Sequence, residues 1–477
     1  MADHDLIIRN GTVIDGSGAA RSKADVAIDG ERIAAIGDLS QLSAGQEIDA
    51  AGKIVSPGFV DVHTHDDRAL LSKPDMDMKV SQGVTTVVVG NCGISLAPLV
   101  LDRRPPPPLD LLGDEEWWTF PTFGAFLDRV DQEPASVNAA FLVGHSTLRV
   151  GVMDRLDRPA SPEEIKSMRG TLEASLDAGA CGLSTGLWYA PANKAPTDEV
   201  IEISKALKAH GARYVTHMRD EAGGVLDSLE ETFLIGREAG VPVVVSHHKV
   251  HGRSNWGRSK QTLALFEKYR ESQRIGLDVY PYQASSTVLK YDSIEMAERT
   301  LVTWSVPHPE QSGRDLKDIA ADWGVGVMEA AERLQPAGAI YFSMDEEDVR
   351  RIISYPHSMI GSDGLPHDEN PHPRLWGTFP RILGHYVRDV GLFTLEEGVR
   401  KMTSLSAEQF GLKERGTLAA GNFADICIFD ETVIIDAATF EDPKRPTPGI
   451  AEVLVNGKSA WKDGAGTGNR AGKALRA

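Results

Sequence analysis

The chain has 477 residues of ordinary apolar content, which predicts a globular protein with one large domain and a smaller one. Its formal net charge of −19 argues against a nucleic acid or an anionic membrane as partner, although local cations could still bind an anionic small substrate. Three widely spaced cysteines, no visible secretory signal and no apolar run of ~20 residues predict a cytoplasmic protein without a disulfide framework.

Both ends of the chain carry short strand patterns separated by turn signals. Near the N-terminus, segments such as residues 32–36 alternate with Asn-Gly and Asp-Gly pairs that are typical of hairpins. The same pattern of short strand segments and turn signals occurs near the C-terminus, for example in residues 451–455. We predict that residues 1–57 and 415–477 pair into one small β domain, a sandwich or barrel, with a frayed tail beyond Gly464.

Between these ends, short apolar segments alternate with longer helical patterns. This repeat predicts a (β/α)₈ (TIM) barrel over residues 58–414, with a lid-like insertion at 283–345. A surface insertion without a role is the other interpretation of that segment. An open doubly wound sheet is the other possible architecture, but no Gly-x-Gly-x-x-Gly fingerprint favours it. The predicted barrel strands are residues 59–65, 84–92, 138–145, 181–185, 214–218, 242–248, 275–280 and 359–363.

Polar residues stand at the ends of most of these strands. His63 and His65 point to one face of the first strand, because side chains alternate along a strand, and two imidazoles make half of a metal site. The carboxyl ends of barrel strands meet at one rim, so the other strand-end residues are expected nearby. Each has an ordinary structural explanation alone, but the joint set is hard to explain that way. The further strand-end residues are Cys92, His145, His217, His247, His248, Lys249, Asp278, Tyr280 and Asp363.

Imidazole, thiolate and carboxylate together suit zinc better than calcium or magnesium. Such an ion would activate water and polarise a carbonyl group. Asp363 is the candidate group for moving the proton of that water to the leaving group. The expected reaction class is metal-assisted hydrolysis of an amide or a similar bond.

Several strand-end motifs together carry a family resemblance. The His63-Thr64-His65 pair, His217, His247 and Asp363 resemble the ligand pattern of the amidohydrolase superfamily. Many members carry a carboxylated lysine after strand 4, where this chain has Gly182-Leu183-Ser184-Thr185-Gly186, which counts against a hydantoinase-like or dihydroorotase-like enzyme. The motifs instead closely resemble those of the N-acyl-D-amino-acid deacylases: Gly90-Asn91-Cys92-Gly93-Ile94, Ser184-Thr185-Gly186-Leu187, Thr216-His217-Met218-Arg219, Ser246-His247-His248-Lys249, Asp278-Val279-Tyr280-Pro281-Tyr282 and Gly361-Ser362-Asp363-Gly364.

The resemblance implies a role for each matched residue. Cys92, His217 and His247 would hold one tightly bound zinc ion. His63, His65 and Asp363 would share Cys92 in a weaker second site. Alternation places His247 and Lys249 on the face opposite to His248, and the resemblance selects the first two. The implied ligands of the substrate's α-carboxylate are Lys249, Tyr280, Ser286 and Arg374, and Tyr189 is a weaker pocket candidate.

The implied activity is zinc-dependent hydrolysis of N-acyl-D-amino acids to a D-amino acid and a carboxylate, with Asp363 as the catalytic base. The D preference comes from the resemblance alone. One alternative is a deacylase specific for N-acyl-D-glutamate or N-acyl-D-aspartate, for which Lys290 or Arg299 could supply the extra cation. Another is a non-catalytic binding protein of the same fold. The expected partner is a small molecule, and the sequence makes no prediction of oligomeric state.

Overall fold

A computed structural model describes residues 2–477, and the chain begins with strands joined by tight turns. β2 and β3 pair antiparallel beyond β1, whereas β4 and β5 pair with β1 in parallel. Their inward apolar side chains, including Ile8, Val26 and Ile28, form a separate small core. These strands are β1 (His4–Val13), β2 (Ser22–Asp29), β3 (Arg32–Gly37), β4 (Ala44–Asp49) and β5 (Ile54–Pro57).

The next part of the chain contributes most of a parallel sheet. A two-stranded pair, β8 with β9, lies outside that sheet. The barrel strands are short and fully buried, because helices cover one face and the other faces the barrel interior. The strands are β6 (Phe59–Asp61), β7 (Val84–Val89), β8 (Leu99–Val100), β9 (Thr119–Phe120), β10 (Asn138–Gly144), β11 (Gly182–Gly186), β12 (Arg213–His217), β13 (Val243–Val245) and β14 (Ile275–Val279).

The insertion at residues 283–345 forms a small three-stranded antiparallel sheet as well as the helices that the sequence indicates. Its strands are β15 (Ala284–Val288), β16 (Arg299–Ser305) and β17 (Ala337–Phe342), with β17 in the middle. Residues including Leu316, Ile319 and Leu334 give it a hydrophobic cluster of its own. The insertion is therefore a packed unit that follows directly from the seventh barrel strand.

After the insertion, β18 (Ser358–Ile360) completes the barrel. The strand order is β6-β7-β10-β11-β12-β13-β14-β18, and a parallel bridge between Thr64 and Gly364 joins the first strand to the last. Val60, Val215 and Met359 belong to a buried cluster with Phe410 near one end of the barrel. The predicted (β/α)₈ fold is confirmed, and each of the eight predicted segments overlaps one barrel strand, although β11, β12 and β18 each extend one residue beyond the predicted segment.

The C-terminal strands complete the sheet that the N-terminus begins. β19 pairs with β5, and the sheet order is β22-β21-β20-β19-β5-β1-β2-β3. The expectation of a frayed tail is wrong, since β23 pairs in parallel with residues 139–140 of β10, beside the stretch where β11 begins its own pairing. Arg476 then contacts Asp131 at 2.6 Å. These strands are β19 (Ile426–Phe429), β20 (Ile450–Val455), β21 (Lys458–Lys462), β22 (Ala465–Gly466) and β23 (Ala474–Leu475).

Helices surround the barrel and fill the insertion. The sequence specifies their starts locally: α5 begins with Pro162 after a capping box between Ser161 and Glu164. No helix among residues 2–477 is long and apolar enough to cross a bilayer. The helices are α1 (Ala69–Ser72), α2 (Asp77–Val80), α3 (Phe123–Gln132), α4 (His145–Val152), α5 (Pro162–Asp177), α6 (Thr197–Ser204), α7 (Val225–Ala239), α8 (Ser259–Arg270), α9 (Tyr291–Met296), α10 (Leu316–Trp323), α11 (Val327–Leu334), α12 (Glu346–Ser354), α13 (Arg374–Arg381), α14 (Leu395–Met402) and α15 (Ser404–Phe410).

Candidate metal centre and substrate pocket

The carboxyl ends of five barrel strands bring metal-ligating side chains to one place. These side chains are all buried, although they come from segments 300 residues apart in the chain. Their convergence follows from the parallel barrel, in which every strand ends at the same rim. The residues are His63 and His65 after β6, Cys92 after β7, His217 at the end of β12, His247 after β13 and Asp363 after β18.

Cys92 and two imidazoles form the first group of donor atoms. The Sγ atom of Cys92 lies 3.3 Å from Nε2 of His247. Nδ1 of His217 lies 2.9 Å from the same Nε2 atom. One sulfur and two nitrogen atoms thus point at a common centre. A thiolate with two imidazoles is a donor set that zinc binds tetrahedrally, with one position left open.

A second group shares the sulfur atom. Nε2 of His63 lies 3.2 Å from Sγ of Cys92 and 3.4 Å from Oδ1 of Asp363. Nε2 of His65 lies 3.3 Å from that same carboxylate oxygen. Donor atoms of His63, Cys92, His247 and Asp363 all lie within 4.8 Å of one another. The residues present therefore fit one ion of the zinc type, with room for a neighbouring second site.

The backbone is strained at three of these residues. Cys92, His247 and Asp363 have φ angles of 54°, 35° and 50°, in the left-handed region that residues with a Cβ atom rarely adopt. Such conformations cost about 1–3 kcal/mol each and persist only where the surrounding structure enforces them. The left-handed backbone at these three positions directs their side chains toward the donor cluster from the turns that follow their strands.

The charges of the cluster depend strongly on one another. Burial by itself raises the pKa of the Cys92 thiol, but the nearby His63 and His247 hold it well below its usual range. Burial likewise raises the pKa of Asp363, but Arg374 and His63 hold that carboxyl well below its usual range. Thiolate and carboxylate are thus the favoured forms, which are also the forms that bind a metal ion.

Two carboxylates that the sequence analysis did not assign to roles lie behind the histidines. Asp278, at a strand end, is 3.3 Å from Nδ1 of His63, and its Oδ1 accepts the backbone N–H of His247 at 2.9 Å. Glu221, which the analysis missed, lies 3.0 Å from Nδ1 of His247. Its only sequence signal is its place four residues after His217.

Next to the donor cluster, several buried polar groups have no partner. The Arg374 guanidinium is fully buried, and its Nη2 lies 2.9 Å from Oδ2 of Asp363 and 3.1 Å from the Ser286 carbonyl oxygen. Its Nε and Nη1 find no hydrogen-bond partner among residues 2–477, and neither do the Tyr280 hydroxyl and the Ser286 Oγ. The guanidinium also stacks 4.5 Å above the Tyr280 ring. Unsatisfied buried donors are costly, and an anion bound here would give these groups the partner that they lack.

A cavity of about 250 Å³ opens beside the cluster. Tyr189 lines it with its ring 4.9 Å from His217, and its hydroxyl lies 3.0 Å from Oγ1 of Thr287. Lys249 also lines the cavity, but its ammonium group donates to Glu221 at 2.7 Å. Nine of the eleven sequence-predicted site residues therefore lie in the cluster or line the cavity. The other two are Arg374, which contacts Asp363, and Tyr280, whose ring lies under Arg374.

Two other strand-end histidines lie apart from the cluster. His145 is 3.1 Å from Glu199, beside the buried Arg149. His248 contacts Oγ1 of Thr262 at 2.8 Å, on the face opposite to His247, as strand alternation predicts. Both have the ordinary structural explanation of a hydrogen-bonded buried histidine. Identical residue types at neighbouring strand ends thus have different partners, which are set by the elements packed against each side chain.

A (β/α)₈ barrel with a cluster of histidines, a cysteine and an aspartate at the carboxyl ends of its strands is typical of one enzyme family. A model of the amidohydrolase family matches residues 46–275 and 310–460. The chain belongs to the amidohydrolase family, and within it to the N-acyl-D-amino-acid deacylase group.

The group is defined by relatives that match this chain over nearly the whole length of both proteins. The chain is 55% identical to "D-aminoacylase" of Alcaligenes xylosoxydans xylosoxydans, over 99% of this chain and 97% of that protein. It is 49% identical to "N-acyl-D-aspartate deacylase" of the same organism, over 99% and 95%. A solved structure of N-acyl-D-glutamate deacylase from Bordetella bronchiseptica, complexed with zinc and a phosphonate inhibitor, is 46% identical with a TM-score of 0.96, over 99% of this chain and 100% of that chain.

Proposed function

We propose that this chain is a zinc-dependent enzyme that hydrolyses N-acyl-D-amino acids to a D-amino acid and a carboxylate. The observation that carries the proposal is the contact between Arg374 and Asp363 at 2.9 Å. It joins a cluster suited to zinc with a group of buried donors suited to a carboxylate. An N-acyl amino acid has a carboxylate one carbon from its amide nitrogen, so it can reach both groups at once.

Each group of donors receives a role in this proposal. Cys92, His217 and His247 would hold one zinc ion tightly, and His63, His65 and Asp363 would share Cys92 in a weaker second site. A bound zinc ion supplies activation of water and polarisation of the acyl carbonyl. This assignment rests on the donor types and on the short distances within each group.

Asp363 would move the proton in this reaction. Its pKa lies well below the usual range despite burial, chiefly because of Arg374, so the carboxylate is ionised and can accept a proton from water. The same group would then donate that proton to the amide nitrogen as the C–N bond breaks. Arg374, Tyr280, Ser286 and Lys249 would hold the α-carboxylate and so orient the amide. The insertion 283–345 would close over the substrate, since its strand β15 carries Ser286.

A substrate panel tests the proposal. We expect hydrolysis of N-acetyl-D-methionine to exceed that of N-acetyl-D-glutamate, and both L forms to be poor substrates. The readouts are free amine release and the zinc content of the purified protein. Preference for an L form, or bound zinc without hydrolysis of any member, would contradict the proposed function.

The acid-specific alternative is the second candidate, because relatives with that specificity are 49% and 46% identical to this chain. It requires a free cation near the substrate side chain. Arg299 is committed elsewhere, since its Nε lies 3.0 Å from Asp315. Lys290 is half-buried with its ammonium group 3.6 Å above the ring of Trp188, a residue that lines the cavity. Asp292 also lines the cavity. Its carboxylate would repel the acidic side chain of a substrate such as N-acyl-D-glutamate.

Replacement of Lys290 by methionine separates these candidates. For an enzyme that prefers neutral side chains, we expect kcat/KM for N-acetyl-D-methionine to change by less than about 3-fold, since the residue lies outside the carboxylate-binding group. For an acid-specific enzyme, loss of a charged hydrogen bond should lower kcat/KM for N-acetyl-D-glutamate by about 10- to 150-fold. Arg299→Met is the matched control, because that cation already pairs with Asp315.

Replacement of Tyr280 by phenylalanine tests the carboxylate-binding group. Its buried hydroxyl has no partner in the described chain, so its loss should leave the melting temperature unchanged or raise it. The same change should lower kcat/KM by about 10-fold or more, because the hydroxyl would bind the substrate's charge.

The matched control is Tyr282→Phe. That hydroxyl is also buried and unpartnered within residues 2–477, but its ring packs against His372 and Arg381, whereas the Tyr280 ring lies under the Arg374 guanidinium. Equal losses of kcat/KM in both variants would show that Tyr280 has no particular role in substrate binding.

A further inference from the structure

Glu221 lies where the metal centre and the substrate pocket meet. It is in the loop after β12, and only 9% of it is exposed. Its Oε1 lies 3.0 Å from Nδ1 of His247, and its Oε2 lies 3.8 Å from Nε2 of His217. Oε2 also accepts from the Lys249 ammonium group at 2.7 Å. One carboxylate thus faces two proposed zinc ligands and one proposed substrate ligand.

The two histidines use opposite ring nitrogens toward the cluster. Nδ1 of His217 and Nε2 of His247 are the atoms that approach each other at 2.9 Å, and Cys92 lies 3.3 Å from the latter. Glu221 therefore faces the outer nitrogen of each ring. A neutral imidazole whose inner nitrogen binds a metal carries its proton on the outer nitrogen, and that N–H needs an acceptor.

Two charged groups lie close enough to the outer nitrogen of His247. The ammonium group of Lys249 is 2.8 Å away, but it has only N–H donors and cannot accept a hydrogen bond. The Glu221 carboxylate at 3.0 Å can accept it. Glu221 is thus the group that would hold the proton on Nδ1 and leave the inner Nε2 of His247 as the lone-pair donor. The Lys249 contact in turn holds the carboxylate in place.

We infer that Glu221 is a positioning residue, which selects the metal-binding tautomer of His247 and joins that ring to Lys249. The inference rests on the zinc site of the proposed function. Carboxylates behind metal-ligating histidines typically strengthen metal binding by about 10- to 100-fold. Glu221 would act through the His247 imidazole and would not itself touch the reacting atoms.

Zinc affinity of Glu221→Gln tests the inference. Glutamine keeps the shape of the side chain, but it loses the charge that holds Lys249 and the outer N–H. We expect the dissociation constant for zinc, measured on metal-free protein by competition with a chromogenic chelator, to rise by about 10- to 100-fold. Glu231→Gln is the matched control, because Glu231 pairs with Arg219 at 2.9 Å nearby and contacts neither histidine. It should bind zinc like the wild type.

A second variant guards against misfolding, because the first leaves Lys249 without its counterion. Glu221→Gln combined with Lys249→Gln removes both charges together, and we expect the same weakening of zinc binding. Wild-type zinc affinity in either folded variant would overturn the inference, as would equal weakening in Glu231→Gln or absence of zinc binding by the wild type.

The binding measurement uses no substrate, so it separates this inference from the proposed activity. If the wild type cleaves no N-acyl-D-amino acid while Glu221→Gln still weakens zinc binding, the activity fails and the positioning role stands. If the wild type is active and the variant binds zinc normally, the positioning role fails and the activity stands.

Discussion

Replacement of Asp363 by asparagine is expected to lower kcat by about 10²- to 10⁴-fold, the usual contribution of a general acid–base group. Asparagine keeps the size of the side chain, but it cannot accept a proton from water or pass one to the leaving amine. Zinc should remain bound, because Cys92, His217 and His247 form a complete donor group without this residue. The measurements are kcat for N-acetyl-D-methionine and metal content by elemental analysis of the same sample.

Asp368→Asn is a suitable control for this experiment. Asp368 is a buried carboxyl five residues further along, and burial raises its pKa to about 7, so an amide resembles its neutral form. We expect that variant to retain most of its activity. A near-normal kcat for Asp363→Asn would remove Asp363 from the proposed mechanism. Loss of zinc together with activity would instead make it primarily a metal ligand.

Replacement of Cys92 by alanine should abolish zinc binding and activity together. Its sulfur is the atom that both donor groups share, at 3.2 Å from His63 and 3.3 Å from His247. The remaining histidines also lose the negative charge that offsets them in a buried site. We expect zinc well below one ion per chain after dialysis, and kcat/KM lower by at least about 10³-fold, which corresponds to several kcal/mol of lost transition-state stabilisation.

Cys181→Ala is the control for the loss of a buried thiol. Cys181 lies just before β11 in the barrel cluster with Val60 and Met359, and burial raises the pKa of its thiol. Its replacement should cost some stability but leave zinc content and kcat/KM near wild type. If Cys92→Ala kept a full complement of zinc, the sulfur would not be a ligand, and the proposed centre would have to rest on histidines and Asp363.

The local pattern of the sequence predicted the barrel strands and the orientation of the histidines at two strand ends. Short apolar segments between helical stretches predicted all eight strands, because a parallel strand must bury both faces and so reads as an apolar run. Alternation along a strand predicted that His63 and His65 share a face and that His248 turns away from His247. The roles of Arg374 and Ser286 came from resemblance, since neither residue stands at a strand end.

The tertiary structure decided what depends on contacts between distant segments. The tail beyond Gly464 resembles a frayed end in composition, but it pairs with β10 because the barrel leaves part of that strand's edge free. His145 has the residue type of a ligand, yet it pairs with Glu199. Glu221 has no signal in the sequence beyond its spacing from His217, and its place between His247 and Lys249 exists only once two barrel strands lie side by side. Periodicity is a property of neighbours in the chain, whereas the partner of a buried charge is set by packing in three dimensions.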